Sequence, residues 1–389
     1  MEDTSIVYIL FLIFTGAAIL ATIALYVRQS LIIAYISLGL LIGPWGLNLI
    51  ADASLIQDIA NVGIIFLLFL LGLNLHPQDL FRMVGETTVV TGVSSIVLCA
   101  LGFSYSQLFG YSVIESLIIG AALMFSSTII GLKLIPTTVL HHQRTGEVII
   151  SVLLLQDIIA IFLMLVLEGS SNADIGWLAM IKPVLAFPVM IGIAYVLEKY
   201  VLTRLLMKFD RIQEYIFLLA VGWCLGLAEL AEQLGLSYEI GAFIAGVTIA
   251  RNPIALFIVE NLKPLRDFFL IIFFVALGAN FNLGILGDIW LVAVGLSLIA
   301  IVIKPILYRF LLRFSHEASG RSTEIALRLG QMSEFSLLLA VMATELAIIR
   351  AEVSYLIQIA TLVSFVFSSY YIVANYPTPI ALNDKLRRD

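Results

Sequence analysis

Residues 328–336 read RLGQMSEFS and interrupt a long apolar run with a glycine, an amide, an acid and two serines. A second interruption, FSSTIIG at 125–131, lies about 206 residues earlier, so that Ser127 falls over Ser333 and Thr128 over Glu334. Two further pairs keep nearly the same offset: LLFLLGLNL (67–75) with IIFFVALGANFNL (271–283), and SLGLLIG (37–43) with IAGVTIA (244–250). Ser, Thr and Gly can leave backbone carbonyls and amides free, which lipid tolerates only where they line a polar cavity. The alternative for Ser126, Ser127 and Thr128 is hydroxyls bonded back to the preceding helical turn. Their recurrence at repeat positions favours a break in both helices.

Around these stretches the chain reads as a membrane protein. Its 389 residues are 61% hydrophobic and 12% charged, about half the charged fraction of a soluble domain. The apolar runs are continuous and lack the alternation of a β-barrel. The expected fold class is an all-α polytopic membrane protein with thirteen transmembrane helices between residues 5 and 375. The interruptions fall in the fifth span (113–135) and the twelfth (320–347). Segments after odd-numbered spans carry the bases, among them Arg82, Lys133, Arg144, Arg204, Lys208, Arg251, Lys263 and Arg266 (the tenth span starting near 262) and Arg321, whereas Arg350 is almost alone on the other side. Basic loops face the cytoplasm, so the N-terminus is expected outside and the C-terminus inside. The opening MEDTS has no basic stretch before its apolar run, so the first span reads as a retained helix. Cys99 and Cys224 lie within spans and read as small buried hydrophobes.

The repeat shift covers seven spans, an odd number, so matching elements run in opposite directions. The transmembrane domain (1–375) then holds inverted repeats at about 1–175 and 211–375, a linker helix at about 176–203 and a short cytoplasmic tail at 376–389. Inverted repeats with broken helices at matching positions are a transporter architecture.

Few ionisable residues remain deep in the spans. Asp157 is central in LLLQDIIAIF (153–162), Lys304 lies in AIVIKPILYRF (300–310), and Glu334 sits at the break of span 12. Placing an Asp or Lys at a helix centre costs about 2.5–3.5 kcal/mol. The functional reading is that Asp157 takes up a proton and a cation in alternation; the other is a fixed Asp157–Lys304 or Lys304–Glu334 ion pair. Lys304 is open between a structural and a proton-linked role, and Pro305 beside it predicts a distorted backbone. Glu334 is expected to be mainly structural, offsetting free helix-end amides or a neighbouring arginine. Glu115 reads as interfacial, and His141 and His142 as surface residues of a basic loop.

LGLLIGPWGL, FLLFLLGLNLHPQDL, FSSTIIG, LLLQDIIAI, IGAFIAGVTIA, FFLIIFFVALGANFNL and GQMSEFSLLL, in that order, resemble the membrane domain of Kef-type potassium/proton antiporters of the monovalent cation:proton antiporter-2 family. The resemblance covers nearly all of residues 1–375. It implies a thirteen-helix antiporter, usually a homodimer, with a mobile six-helix core and two crossing broken helices. It implies Asp157 as the ion- and proton-binding carboxylate, Gln156 as its neighbour, and Ser127 and Thr128 at the crossing. Ser126, Ser333, Lys304 and Glu334 would support them. The chain departs from the family at Asn74-Leu75-His76, where GLELD is common, and at Met332-Ser333, where QGGEF is common. It also shows no Rossmann fingerprint for a regulatory nucleotide-binding domain.

These readings predict exchange of a monovalent cation for a proton across a lipid bilayer, by competition for one carboxylate. The transported ions are K+ or Na+ and H+, with no cofactor, no enzymatic activity and no nucleic-acid partner. The resemblance at Gln156-Asp157 implies potassium, an ion whose size and weak hydration suit a neutral amide and hydroxyls; a sodium/proton antiporter is the alternative. Gln156 cannot titrate, so one-for-one, electroneutral exchange is expected. A homodimer in a bacterial inner membrane is expected, with a separate regulatory subunit as a possible partner. A potassium channel is the rival from another class, although no TVGYG-like filter is present. No HExxH or GxSxG motif supports a membrane-embedded enzyme.

Overall fold

The computed structural model describes residues 6–27, 29–50, 54–74, 86–128, 131, 144–171, 176–209, 212–250, 252 and 254–378. Its elements are helical: α1 Ile6–Tyr26, α2 Leu31–Ile42, α3 Ser54–Asn74, α4 Glu86–Leu108, α5 Val113–Met124, α6 Arg144–Ser171 and α7 Gly176–Leu197. There follow α8 Thr203–Lys208, α9 Gln213–Gln233, α10 Tyr238–Ile249, α11 Ala255–Ala279 and α12 Leu286–Leu298. The last are α13 Lys304–Phe314, α14 Ser319–Arg328, α15 Glu334–Glu345 and α16 Ala351–Asn375. Among the described residues, six helical stretches are long and apolar enough by themselves to cross a bilayer. α2, α5 and α10 are apolar but shorter. Large apolar side chains such as Phe11, Ile96, Leu298 and Phe310 are exposed, which suits lipid and would be costly in water.

The predicted interruptions are present. α5 stops at Phe125, whose backbone is extended (φ −74°, ψ 143°). Span 12 is two helices, α14 and α15, separated by Leu329–Ser333. A wider π-helical turn at Ile299–Ile303 runs directly into Lys304-Pro305. Proline has no N–H and its ring crowds the carbonyl four residues back, so a widened turn ahead of it is the expected relief.

Some boundaries differ from expectation. α11 begins at Ala255, not 262, so Lys263 and Arg266, read as loop residues, are helical. The seventh span, expected to end at 203, continues through a π-turn (Glu198–Leu202) to Lys208. Hydropathy marks where apolar side chains stop, whereas a helix continues while its charged residues can reach water. Leu75, His76, Arg82, Lys133, His141, His142, Arg251 and the tail from 379 lie outside the described residues, as does most of span 5 beyond Thr128.

The chain forms two compact units. The first comprises Met1–Ala17, Tyr35–Arg82 and Leu165–Asn280. Its helices approach so closely that glycine is required at four positions, two at each of two crossings. A methyl group on Gly39 would lie 2.1 Å from the Val275 carbonyl oxygen, and one on Gly278 2.1 Å from that of Ile36. Likewise a methyl on Gly246 would lie 2.1 Å from Phe69 O, and one on Gly72 2.4 Å from Phe243 O. The two crossings, α2 on α11 and α10 on α3, use positions 206 or 207 residues apart: Phe69 with Val275, Ile36 with Phe243, Gly72 with Gly278 and Gly39 with Gly246.

The second unit comprises Ala18–Ala34, Met83–Met164 and Phe281–Asp389. It holds α4–α6 up to Met164 and α12–α16, including both broken spans and every ionisable residue singled out above in the membrane. α4 and α5 meet at Gly102 and Gly120, where a methyl on Gly120 would lie 2.3 Å from Cys99 O. Cys224 is buried, Cys99 is partly so, and both are free thiols.

Candidate functional site

A broken helix exposes backbone groups that need partners, and the second unit supplies them from α6, α13 and α16. At the α5 break, Lys304 Nζ donates to the carbonyls of Leu123 (3.1 Å) and Phe125 (2.5 Å), and also to Gln331 O (3.0 Å) in the other break. Gln156 takes the intervening groups: its Nε2 donates to Met124 O (2.8 Å) and its Oε1 accepts from Ser126 N–H (3.0 Å). Its second amide proton goes to the Tyr308 hydroxyl oxygen at 2.7 Å. At the α14–α15 break, Met332 N–H donates to Ser364 Oγ on α16 (3.0 Å), and Ser368 Oγ donates to Gln331 Oε1 (3.0 Å).

The two breaks are bonded to each other. Ser126 Oγ donates to Leu329 O at 2.8 Å, and Ser336 Oγ to Ala122 O at 2.6 Å. Thr128 Oγ1 donates to Glu334 Oε1. Ser333 caps α15, accepting from Phe335 N–H at 3.1 Å, and its hydroxyl lies 3.4 Å from Glu334 Oε2. Glu334 is the first residue of α15, where a negative charge is favoured.

Asp157 follows Gln156 on α6 and is 3% exposed. Glu334 is the charged group whose field reaches it. Among the described residues, no hydrogen bond or ion pair is formed by its carboxylate. Neither expected alternative pair, Asp157–Lys304 or Lys304–Glu334, is present: Lys304, fully buried, gives its protons to three carbonyls. That arrangement arises because broken helices offer three acceptors where an intact helix offers none. Ser127 is fully buried, and its carbonyl accepts from Gly131 N–H at 3.0 Å.

Away from this cluster, Arg350 Nε reaches Glu115 Oε1 at 2.7 Å. Arg328 is 1% exposed, pairs with Glu324 at 3.0 Å and donates to Pro377 O at 3.0 Å, tying the segment after α16 to the end of α14. Glu317, between α13 and α14, accepts from Arg144 and Arg321 at 2.9 Å each. Burial works to raise its carboxyl, but these bonds and charges outweigh it and hold the group below the usual glutamate range.

The sequence reading missed Tyr308, Gln331, Ser336, Ser364 and Ser368. Tyr308 was within reach, because it lies four residues after Lys304 and so on the same helix face.

Among the described residues the fold is helical, with two interrupted spans bonded together and a buried acid next in sequence to the amide that holds one of them. The sodium proton antiporter MjNhaP1 from Methanocaldococcus jannaschii, solved at pH 8, superposes with a TM-score of 0.72 at 18% identity, covering 96% of this chain and 97% of that one. The chain belongs to the sodium/hydrogen exchanger transmembrane family, whose model matches residues 10–373. K(+) efflux antiporter 4 of Arabidopsis thaliana is 30% identical over 350 residues, 87% of this chain and 58% of the relative. The glutathione-regulated potassium-efflux system protein KefC of Escherichia coli is 31% identical over 333 residues, 84% of this chain and 53% of the relative. The chain thus spans less than two thirds of the length of these relatives.

Proposed function

We propose that the chain exchanges a monovalent cation, potassium in preference to sodium, for a proton by alternating access at Asp157. The observation that carries this reading is that Asp157 is buried with no bonded partner among the described residues, while the amide of its neighbour Gln156 is fully bonded. A carboxylate so placed is stabilised either by a proton or by a cation, and the two compete for it. In this reading Gln156, its chain neighbour, and Ser127 and Thr128 of the α5 break serve the ion with Asp157, and Ser126, Ser333, Lys304 and Glu334 support the breaks. The potassium preference is supported by the relatives named for potassium efflux; sodium is the second reading, supported by the family description and the fold. We further propose thirteen crossings arranged as inverted repeats (about 1–175 and 211–375), with the N-terminus outside. The matched glycine crossings of the first unit support that repeat. The assembly proposed is a homodimer in a bacterial inner membrane, open to a separate regulatory subunit, with no cofactor and no enzymatic activity.

Proteoliposomes loaded with a pH-sensitive dye test this reading. Adding K+ should release protons, Na+ should release fewer, and Asp157→Asn should abolish the signal for both. Normal exchange by Asp157→Asn would make the carboxylate structural, and cation flux without proton movement would favour a channel.

A further inference from the structure

The α5 break depends on a side chain that none of the roles above requires. Tyr308 is fully buried on α13, one helical turn after Lys304. Its hydroxyl oxygen accepts the second amide proton of Gln156 at 2.7 Å, while the Gln156 oxygen accepts from Ser126 N–H and its first amide proton goes to Met124 O.

The Gln156 amide is consequently saturated. Four consecutive residues of the break are held in alternation from two helices: Leu123 and Phe125 by Lys304 of α13, Met124 and Ser126 by Gln156 of α6. We infer that Tyr308 is a positioning residue, which locks the Gln156 amide in one orientation and through it sets the Met124–Ser126 backbone beside Asp157. The functional half of this inference, control of cation affinity and of the potassium-to-sodium ratio, rests on the function proposed above.

Removing the hydroxyl leaves one Gln156 N–H buried without an acceptor. Rotating the amide to relieve it takes Oε1 off the Ser126 N–H. The cost of one such unmade bond corresponds to about a tenfold change in an equilibrium constant or more. The other break makes an internal control, because the Met332 amide is held by Ser364 and does not involve Tyr308.

The test uses full-length Tyr308→Phe, which keeps the ring in its space, with Gln156→Met as a second variant that removes the other half of the bond. Amide hydrogen exchange is followed at Ser126 and Met332. K+ and Na+ affinities are read from cation-induced proton release in detergent. In both variants the Ser126 amide should exchange about tenfold faster or more while Met332 is unchanged. In Tyr308→Phe, K+ affinity should fall about tenfold and the potassium-to-sodium ratio should shift. Unchanged protection at Ser126 overturns the inference. So does a loosened Ser126 with unaltered cation affinity and ratio, because the tyrosine would then be merely structural. If Asp157→Asn binds K+ as tightly as the parent, the proposed function fails instead, and exchange at Ser126 still decides whether Tyr308 holds the break.

Discussion

Asp157 and Gln156 are chain neighbours with opposite surroundings. The amide of Gln156 is fully bonded to backbone and Tyr308, whereas the carboxylate of Asp157 has no bonded partner among the described residues. Lys304, the nearest cation by sequence pattern, is drawn to carbonyls instead of either acid, because three backbone acceptors match the three donors of an ammonium group. The charged triad at Glu317 gives a prediction at this scale. Its carboxyl is held low by Arg144 and Arg321, so folding favours the ionised form. The stability this adds is complete above about pH 5 and is lost as pH falls through the lowered value. Glu317→Gln should therefore lower the melting temperature at neutral pH and flatten its decline on acidification. Thermal unfolding in detergent at a series of pH values measures both, and parallel curves for parent and variant would contradict the assignment.

Helices in this protein are defined as much by their interruptions as by their length. The breaks in the fifth and twelfth spans were legible, because Ser, Thr, Gly and Glu have no reason to cluster in lipid unless backbone groups are exposed there. The distortion before Pro305 was legible for the same kind of local reason. The extension of α11 to Ala255 and of span 7 to Lys208 was not, since hydropathy falls where charge begins and the hydrogen-bond ladder does not. The glycine crossings of the first unit yield an element-scale prediction. Gly246→Ala places a methyl 2.1 Å from Phe69 O, a backbone atom that cannot step aside without parting α10 from α3. It should cost about 1–3 kcal/mol in stability. Gly222→Ala, on α9 with nothing within 4 Å of the added methyl, should be neutral or slightly stabilising, as expected of alanine in a helix. Equal melting temperatures for the two variants would contradict the close packing.

For the whole molecule the consequence is electrical. Gln156 is neutral, so the exchange proposed at Asp157 alone would move one positive charge in each direction. Each uncompensated charge would feel about 2.3 kcal/mol per 100 mV of membrane potential. K+-driven proton exchange in proteoliposomes should thus carry no net current and should be insensitive to an imposed potential. A robust current, abolished by Lys304→Gln with exchange retained, would show that the lysine supplies a second proton.

The amino-acid order alone determined that the chain is a helical membrane protein, which two spans are broken and which acid stands in the apolar interior. Each of these is a local property, fixed by hydropathy over a few turns or by residue types that lipid penalises. Tertiary structure alone decided what the polar groups do with one another. Lys304 binds Leu123, Phe125 and Gln331, and Gln156 binds Tyr308 across 152 positions. Hydrogen bonds depend on distances of about 3 Å between groups far apart in the chain, and no one-dimensional pattern carries that information.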